Sequence, residues 1–253
     1  MVFAGILAGG TGTRMGNYSV PKQFLPLNGK PIIVHVIEKF LVHSEVERVI
    51  VGMNGNWMHF MSDVQEKYFK NTENLNIVEG GSDRNGTINV IIQEAQKYGA
   101  STEDIVVTHD SVRPFITLKM ISDNIAAVQK YGVCDTVVPA TDTIVYSEND
   151  KFITDIPIRN HTYQGQTPQS FKIGLFEQVY GKMTAEELEI VTDACKMFML
   201  KGFDVHLVEG CVSNIKITYP FDYKMAQIMM EKLTNDSFAI QTDKTVCNRN
   251  NLQ

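Results

Sequence analysis

Glycines crowd the start of the chain at Gly9, Gly10 and Gly12, with Arg14 directly behind them and Lys22 shortly after. Glycine lets a backbone turn sharply and bring its N–H groups close to a ligand. Arg14 and Lys22 add positive charge at the same place, a combination that suits a polyphosphate. The loop is no Walker A motif, because no Gly-Lys-Ser/Thr closes it. It is a poor dinucleotide fingerprint too: Met15 stands where the third glycine belongs, and the run Val49 to Asn54 lacks the acid that would hold a ribose. A second glycine-rich stretch runs from Gly80 to Thr87, and a lone aspartate, Asp110, follows an apolar run. Asp110 is the best magnesium ligand in the chain, since Mg²⁺ takes one or two carboxylates and completes its shell with phosphates and water. Its neighbour His109 has no obvious chemical task and reads as structural.

The elements that must position these residues alternate. Val2 to Ala8 reads as a strand, Pro31 to Leu41 as a helix with proline in its first turn, and Arg48 to Met53 as a buried strand. Trp57 to Phe69 reads as a helix whose Trp57, Phe60 and Met61 belong to the core. Leu75 to Val78, Ile105 to Thr108 and Asp135 to Ala140 are further strands; Ile88 to Tyr98 and Leu118 to Tyr131 are helices. The alternation predicts an α/β fold with a doubly wound, mostly parallel sheet. In such sheets ligands bind beyond the carboxyl ends of the strands, at the switch in strand order. The Gly9 loop, the Gly80 loop and Asp110 all follow strands, so they converge on one rim.

From Thr141 to Tyr163 the pattern changes. Thr143 to Tyr146 and Lys151 to Thr154 flank the turn Ser147 to Asp150, which predicts an inserted β-hairpin. Helices follow near Gly174 to Tyr180 and Asp193 to Leu200, then a strand from Asp204 to Val208 and a last helix from Phe221 to Leu233. No linker or repeat divides the chain, so residues 1–233 read as one domain with an arm at 141–163, and 234–253 as a polar, frayed tail.

Composition narrows the classes. A formal net charge of −6 argues against general nucleic-acid binding, so any anion site must be local. Cys134, Cys195, Cys211 and Cys247 lie far apart with no C-x-x-C, which reads as reduced thiols and no zinc site. No signal peptide or membrane-spanning run is visible, and the expected location is the cytoplasm.

Leu7-Ala8-Gly9-Gly10-x-Gly12-x-Arg14 with Pro21-Lys22 resembles the signature of nucleotidyltransferases that join a nucleotide to a sugar or polyol phosphate. Four later stretches narrow it: Gly80 to Arg84, His109 to Pro114, Gln166 to Gln169 and Asn214 to Lys216. Together these are similar to the cytidylyltransferases acting on methylerythritol 4-phosphate and, more closely, on ribitol 5-phosphate. The likeness runs from Met1 to about Leu233. It implies a Rossmann-like nucleotidyltransferase fold whose arm reaches a second subunit of a homodimer. It implies CTP and a polyol phosphate as partners, Mg²⁺ as cofactor and, for the ribitol branch, CDP-ribitol as a product feeding a teichoic acid or capsule.

The same resemblance implies the site. CTP would be held by Leu7, Ala8, Gly9, Gly10, Thr11, Gly12 and Thr13, by Gly80, Gly81, Ser82, Asp83, Arg84, Asn85, Gly86 and Thr87, and by Ser111. Thr87 stands where the family usually has serine, and the hydroxyl is kept. Arg14, Lys22, Arg159 and Lys216 would be catalytic. Arg113, Arg159, Thr167, Thr192 and Lys216 would take the acceptor, with Thr192-Asp193 equally readable as a helix N-cap and Arg159 as a surface charge. The other branch more often has two alanines after the aspartate and a tryptophan near position 163, where this chain has Ser111-Val112 and Tyr163. Isoprenoid synthesis from methylerythritol 4-phosphate is the alternative function. An NAD-dependent oxidoreductase is disfavoured by the broken fingerprint, and a non-catalytic nucleotide-binding domain would require Lys22 and Asp110 to be idle.

Overall fold

The computed structural model describes residues 1–10, 13–15, 20–191 and 193–235. Strands among them are β1 (Val2–Ala8), β2 (Pro26–Leu27), β3 (Lys30–Pro31), β4 (Arg48–Met53), β5 (Leu75–Glu79), β6 (Ile105–Asp110), β7 (Val133–Pro139), β8 (Tyr163–Lys172) and β9 (His206–Glu209). The helices are α1 (Ile32–Leu41), α2 (Met58–Tyr68), α3 (Arg84–Lys97), α4 (Leu118–Tyr131), α5 (Ile173–Tyr180), α6 (Ala185–Ile190), α7 (Ala194–Leu200) and α8 (Pro220–Asn235). Seven strands form one sheet in the order β5-β4-β1-β6-β8-β7-β9, while β2 and β3 make a separate small ribbon.

Period-two alternation in these apolar strands builds two cores. In β1, Ala4, Ile6 and Ala8 face one side with Val107, Phe40 and Ile121, where α1 and α4 pack. Phe3 faces the other side with Ile50, Val106, Ile91, Phe171 and Phe198, under α3, α5 and α7. Strands covered on both faces read as near-continuous apolar runs, as β4 and β6 do. A third cluster ties α8 to the ribbon through Leu27, Ile32, Ile217 and Ala226.

The sheet is parallel except at β8, which runs antiparallel to both β6 and β7. Sequence reasoning assigned no strand there, because Tyr-Gln-Gly-Gln-Thr-Pro-Gln-Ser is polar and carries glycine and proline. From Gln166 on, its polar side chains are buried all the same, with partners: Ser170 with Asn124, Gln166 with the Cys211 carbonyl, Thr167 with His109. The register slips between Asp135 and Val137 opposite this stretch. Helix α6 was also missed, although Thr184 and Glu187 form a capping box that announces it.

Boundaries moved where caps decide them. Asp83 caps α3 through Gly86 N–H, so the helix begins at Arg84, ahead of the expected Ile88. A 3₁₀ turn over Gly55–Trp57 precedes α2, and Trp57 packs half-buried against the core. Of the expected hairpin, only the bridge between Tyr146 and Asp155 forms. The rest of the arm is irregular and mostly exposed, with a 3₁₀ turn at Arg159–His161, because an isolated pair of strands has no face to bury against its own chain. No helix among the described residues is long and apolar enough to cross a membrane.

Candidate active site

The carboxyl ends of β1 and β6 lie side by side, because β1 pairs with β4 on one edge and β6 on the other. That is the switch in strand order, and a cavity of about 430 Å³ opens there. Gly9 and Gly10 line it from the end of β1, with Leu7 beneath and Arg14 and Lys22 to the side. Gly81, Ser82, Asp83, Arg84 and Thr87 line it from the loop before α3 and its first turn. Asp110, Ser111 and Lys216 complete it. Gln23, Asn54 and Val112 line it as well and were missed. Gln23 was legible as the neighbour of Lys22; its amide donates to the Ala8 carbonyl at 3.0 Å and so ties the lysine segment to β1.

The α3 loop needs its glycines for close approach. A Cβ on Gly81 would lie 2.5 Å from the Gly86 backbone, and one on Gly52 would lie 2.5 Å from Thr87 Cγ2. These contacts press the N-terminal end of α3 onto the sheet, with its free N–H groups and positive dipole end at the cavity wall. Thr87 spends its hydroxyl on the Asp83 carbonyl at 2.8 Å. Gly80 lines a shallower neighbouring hollow with Asn56 and Glu79. Asn85 and Gly86 lie in the first turn of α3 and do not line the main cavity; Asn85 is buried.

Asp110 is the centre of charge. Arg84 Nη1 donates to its Oδ1 at 2.7 Å, while Arg113 Nε and Lys216 Nζ approach Oδ2 at 3.3 Å and 3.0 Å. Burial alone would raise this carboxyl's pKa, but the three cations outweigh it and hold it well below the usual carboxylate range. Burial opposes charge on Arg84 too, and Asp110 more than compensates, for a net rise. Lys22 forms no ion pair among the described residues: burial first, then Lys216 and Arg14, lower it to about 8, against an opposing pull from Asp110 and Asp222. Against a chain of net charge −6, the cavity is thus a local cationic site whose charges exceed its single buried carboxylate, a site built for an anion.

Beneath the floor lie residues expected at the acceptor. Thr167 Oγ1 pairs with His109 Nδ1 at 2.8 Å and accepts the Asp110 N–H at 3.2 Å. The other His109 nitrogen faces the Arg113 carbonyl at 3.0 Å and must donate to it. Nδ1 therefore accepts from Thr167, and burial lowers the imidazole pKa to about 4, so it stays neutral. His109 is structural, and Thr167 fixes the backbone of Asp110. Arg113 is buried behind Asp110, with Nη1 on the Asn214 carbonyl at 2.8 Å, and does not line the cavity. Ala8 is likewise buried. Arg159 sits in an exposed 3₁₀ turn of the arm (Arg159–His161), outside the cavity of its own chain. Thr11, Gly12 and Thr192 lie outside the described residues. Thr13 begins a 3₁₀ turn leading to Arg14. Asp193 caps α7, its Oδ1 accepting from Cys195 N–H at 2.8 Å.

Asp110 can take a divalent cation. A carboxylate offers about four lone-pair positions; Arg84 uses one on Oδ1, and Arg113 and Lys216 use Oδ2. Among the described residues one Oδ1 position is left free, through which Asp110 would hold a divalent cation that offsets phosphate charge.

A cationic cavity at the switch point, flanked by a glycine loop and a helix N-terminus and with no Ser-His-Asp arrangement among the described residues, has the character of a nucleotidyltransferase site. The chain belongs to the 2-C-methyl-D-erythritol 4-phosphate cytidylyltransferase family, whose model matches residues 2–232. It is a cytidylyltransferase by family. Two proteins of Streptococcus pneumoniae, from the Spain 23F-1 and D39 strains, carry the name ribitol-5-phosphate cytidylyltransferase. Each is 54% identical over 234 residues, covering 92% of this chain and all of theirs. Among solved structures, a 4-diphosphocytidyl-2C-methyl-D-erythritol synthase from Anaerococcus prevotii superposes with TM-score 0.72 at 24% identity, covering 91% of this chain and 96% of its own. The methylerythritol 4-phosphate cytidylyltransferase of Francisella tularensis gives 0.73 at 22%, covering 90% and 98%. These two establish the shared fold, mostly parallel and Rossmann-like.

Proposed function

We propose that this chain transfers CMP from CTP to D-ribitol 5-phosphate, giving CDP-ribitol and pyrophosphate. What carries the proposal is the cationic cavity around Asp110, joined to the 54% identity with the streptococcal relatives over their whole length.

An oxygen of the acceptor phosphate attacks the α-phosphorus of CTP in line; the new P–O bond forms as the bond to the β-phosphate oxygen breaks, and pyrophosphate carries the electron pair away. A phosphate monoester has a charge of about −1.5 to −2 near neutrality, so the nucleophile needs no base. What it needs is positioning and relief from repulsion. Arg14 and Lys22 neutralise the triphosphate, with the charge growing on the leaving pyrophosphate as their chief target. Backbone N–H groups of Gly9, Gly10 and the α3 loop hold the nucleotide, and the Gly80 to Ser82 backbone meets the cytosine edge. Lys216 stands between Asp110 and the cavity, where an acceptor phosphate meets it. Mg²⁺, when bound, offsets phosphate charge; Asp110 would hold it through the open position on Oδ1.

The arm supports a homodimer. Ile144, Val145, Tyr146, Phe152, Ile153, Ile156 and Ile158 are exposed along it, an apolar patch of the sort that marks an interface. Arg159 at its end would then reach the neighbouring chain's acceptor site. Placement in the cytoplasm, where CTP is made, and supply of a teichoic acid or related surface polymer belong to the same proposal.

The test is to incubate the protein with CTP, Mg²⁺ and either ribitol 5-phosphate or methylerythritol 4-phosphate, and to measure pyrophosphate. Release with ribitol 5-phosphate at a kcat/KM well above the other acceptor supports the proposal. The reverse preference assigns the isoprenoid reaction instead, and release with neither overturns both.

A further inference from the structure

Gln169 lies fully buried in β8, its backbone paired with Thr108 of β6 and Asp135 of β7. Its amide nitrogen donates to Asp193 Oδ2 at 2.6 Å and to Asp135 Oδ1 at 3.2 Å. Its Oε1 accepts from Arg84 Nη2 at 3.3 Å. The other end of that guanidinium holds Asp110. A continuous chain of bonds therefore runs from the cavity floor to an acidic pair beneath it.

The orientation of this amide is dictated by its neighbours. A guanidinium group only donates hydrogen bonds, so the Arg84 contact by itself requires the Gln169 oxygen on that side, whichever of the two acids carries a proton. Turning the amide over would set its oxygen against two acids and its NH₂ against Arg84. Arg84 Nε is buried without a partner among the described residues, so Nη1 and Nη2 alone set the rotation of the group. Remove the Gln169 oxygen and one of those two anchors goes.

We propose that Gln169 is a positioning residue for nucleotidyl transfer: clamped by Asp135 and Asp193, it locks Arg84 across Asp110 so that the anion site is set before the nucleotide arrives. This rests on the proposed reading of the cavity as the CTP site. Preset dipoles and charges stabilise a transition state without reorganising, so the loss should fall on kcat more than on the KM for CTP.

The hydrogen bond between Gln169 and Asp193 can be reversed without changing shape. Asp193 uses Oδ1 for its helix cap and Oδ2 for Gln169. In the pair Gln169→Glu with Asp193→Asn, the new asparagine keeps its oxygen on the cap and turns its NH₂ toward the new carboxylate, which still accepts from Arg84. Net charge is unchanged. Gln169→Glu alone sets three carboxylates together, and Asp193→Asn alone sets two NH₂ groups face to face. Each single variant should lower kcat by about tenfold, and the double variant should recover part of that loss, as coupled neighbours do, with Asp135 still facing the new carboxylate. A residue that merely fills space predicts no such reciprocal rescue. Melting temperatures report folding alongside; should Gln169→Glu fail to fold, Gln169→Leu replaces it and should lose kcat by at least as much. Singles at wild-type kcat, a double variant no better than the product of its singles, or an undiminished Gln169→Leu would overturn the proposal. Activity of the wild-type enzyme with CTP is measured separately, so failure of the cytidylyltransferase reading shows in that arm and not in the cycle.

Discussion

Asp110→Asn is the most revealing perturbation, because Asp110 has two separable jobs. As a magnesium ligand it would matter for turnover and leave the fold untouched. The structure adds a second job: its carboxylate is the shared counterion of Arg84, Arg113 and Lys216 at 2.7 Å, 3.3 Å and 3.0 Å. Removing one partner of a buried ion pair destabilises by about 3–5 kcal/mol, since it strands the other charge. For a chain of this size each kcal/mol shifts the melting temperature by about 2–4 °C, so the variant should melt roughly 6–20 °C lower in an anion-free buffer. Pyrophosphate supplies the missing negative charge, so it should raise the melting temperature of the variant more than that of the wild type, by linkage. The assay is thermal melting of both proteins with and without pyrophosphate, beside turnover at saturating Mg²⁺. A variant that melts within 2–3 °C of wild type without anions would refute the counterion reasoning, given the same scale. Normal turnover would sink the ligand role.

Four further outcomes are expected. Because Lys22 titrates near pH 8, kcat/KM for CTP should fall by up to about tenfold per unit above that pH; Lys22→Arg should flatten this limb, and a wild-type profile flat to pH 10 would contradict it. Lys22→Ala at neutral pH should lower kcat more than it raises KM, the mark of an interaction realised in the transition state. Asp135, pushed up to about 7 by burial and then by Asp193, binds its proton more tightly folded than unfolded, so wild-type stability drains away as pH rises from about 4 to 7; Asp135→Asn should therefore melt higher than wild type at pH 8 and no higher at pH 4, by about 1–2 kcal/mol after allowing for solvent access. Finally, mixing inactive Arg159→Ala and Lys22→Ala chains should restore part of the activity if the arm completes a neighbour's site; a dead mixture after proven subunit exchange, or an active monomer on sedimentation, would exclude it.

What the sequence made legible was whatever local chemistry dictates. Apolar runs such as Ile105-Val106-Val107 declared buried strands, and Gly9-Gly10 with Arg14 and Lys22 declared an anion loop. Asp110 stood out because it ends such a strand. Its partners did not: Arg84 and Lys216 lie 26 and 106 residues away along the chain, and nothing short-range marks a pairing of that kind. Strand β8 hid for a related reason. Its Gln, Thr and Ser side chains look like a turn until the groups that satisfy them, on β6, β7 and the segment around Asn214, are brought alongside. The arm misled in the opposite direction, since its alternation is real but its exposed apolar residues find no surface to bury against on their own chain.

The path of the chain through β7 and β8 has a consequence for how this enzyme could be altered. The two strands are antiparallel neighbours, closed by Pro139 opposite Tyr163 and by the Ala140 N–H on the Thr162 carbonyl at 3.0 Å. The whole arm is thus a long loop hung between two ends already joined, and lengthening or shortening such a loop changes closure entropy only slowly. The arm is in that sense a cassette: exchangeable with one from a relative, or trimmed to a tight turn, without disturbing the sheet that carries Asp110 and Gln169. Under the proposed dimer, subunit pairing and acceptor choice would be free to diverge in that cassette while the cavity around Asp110 stays as it is.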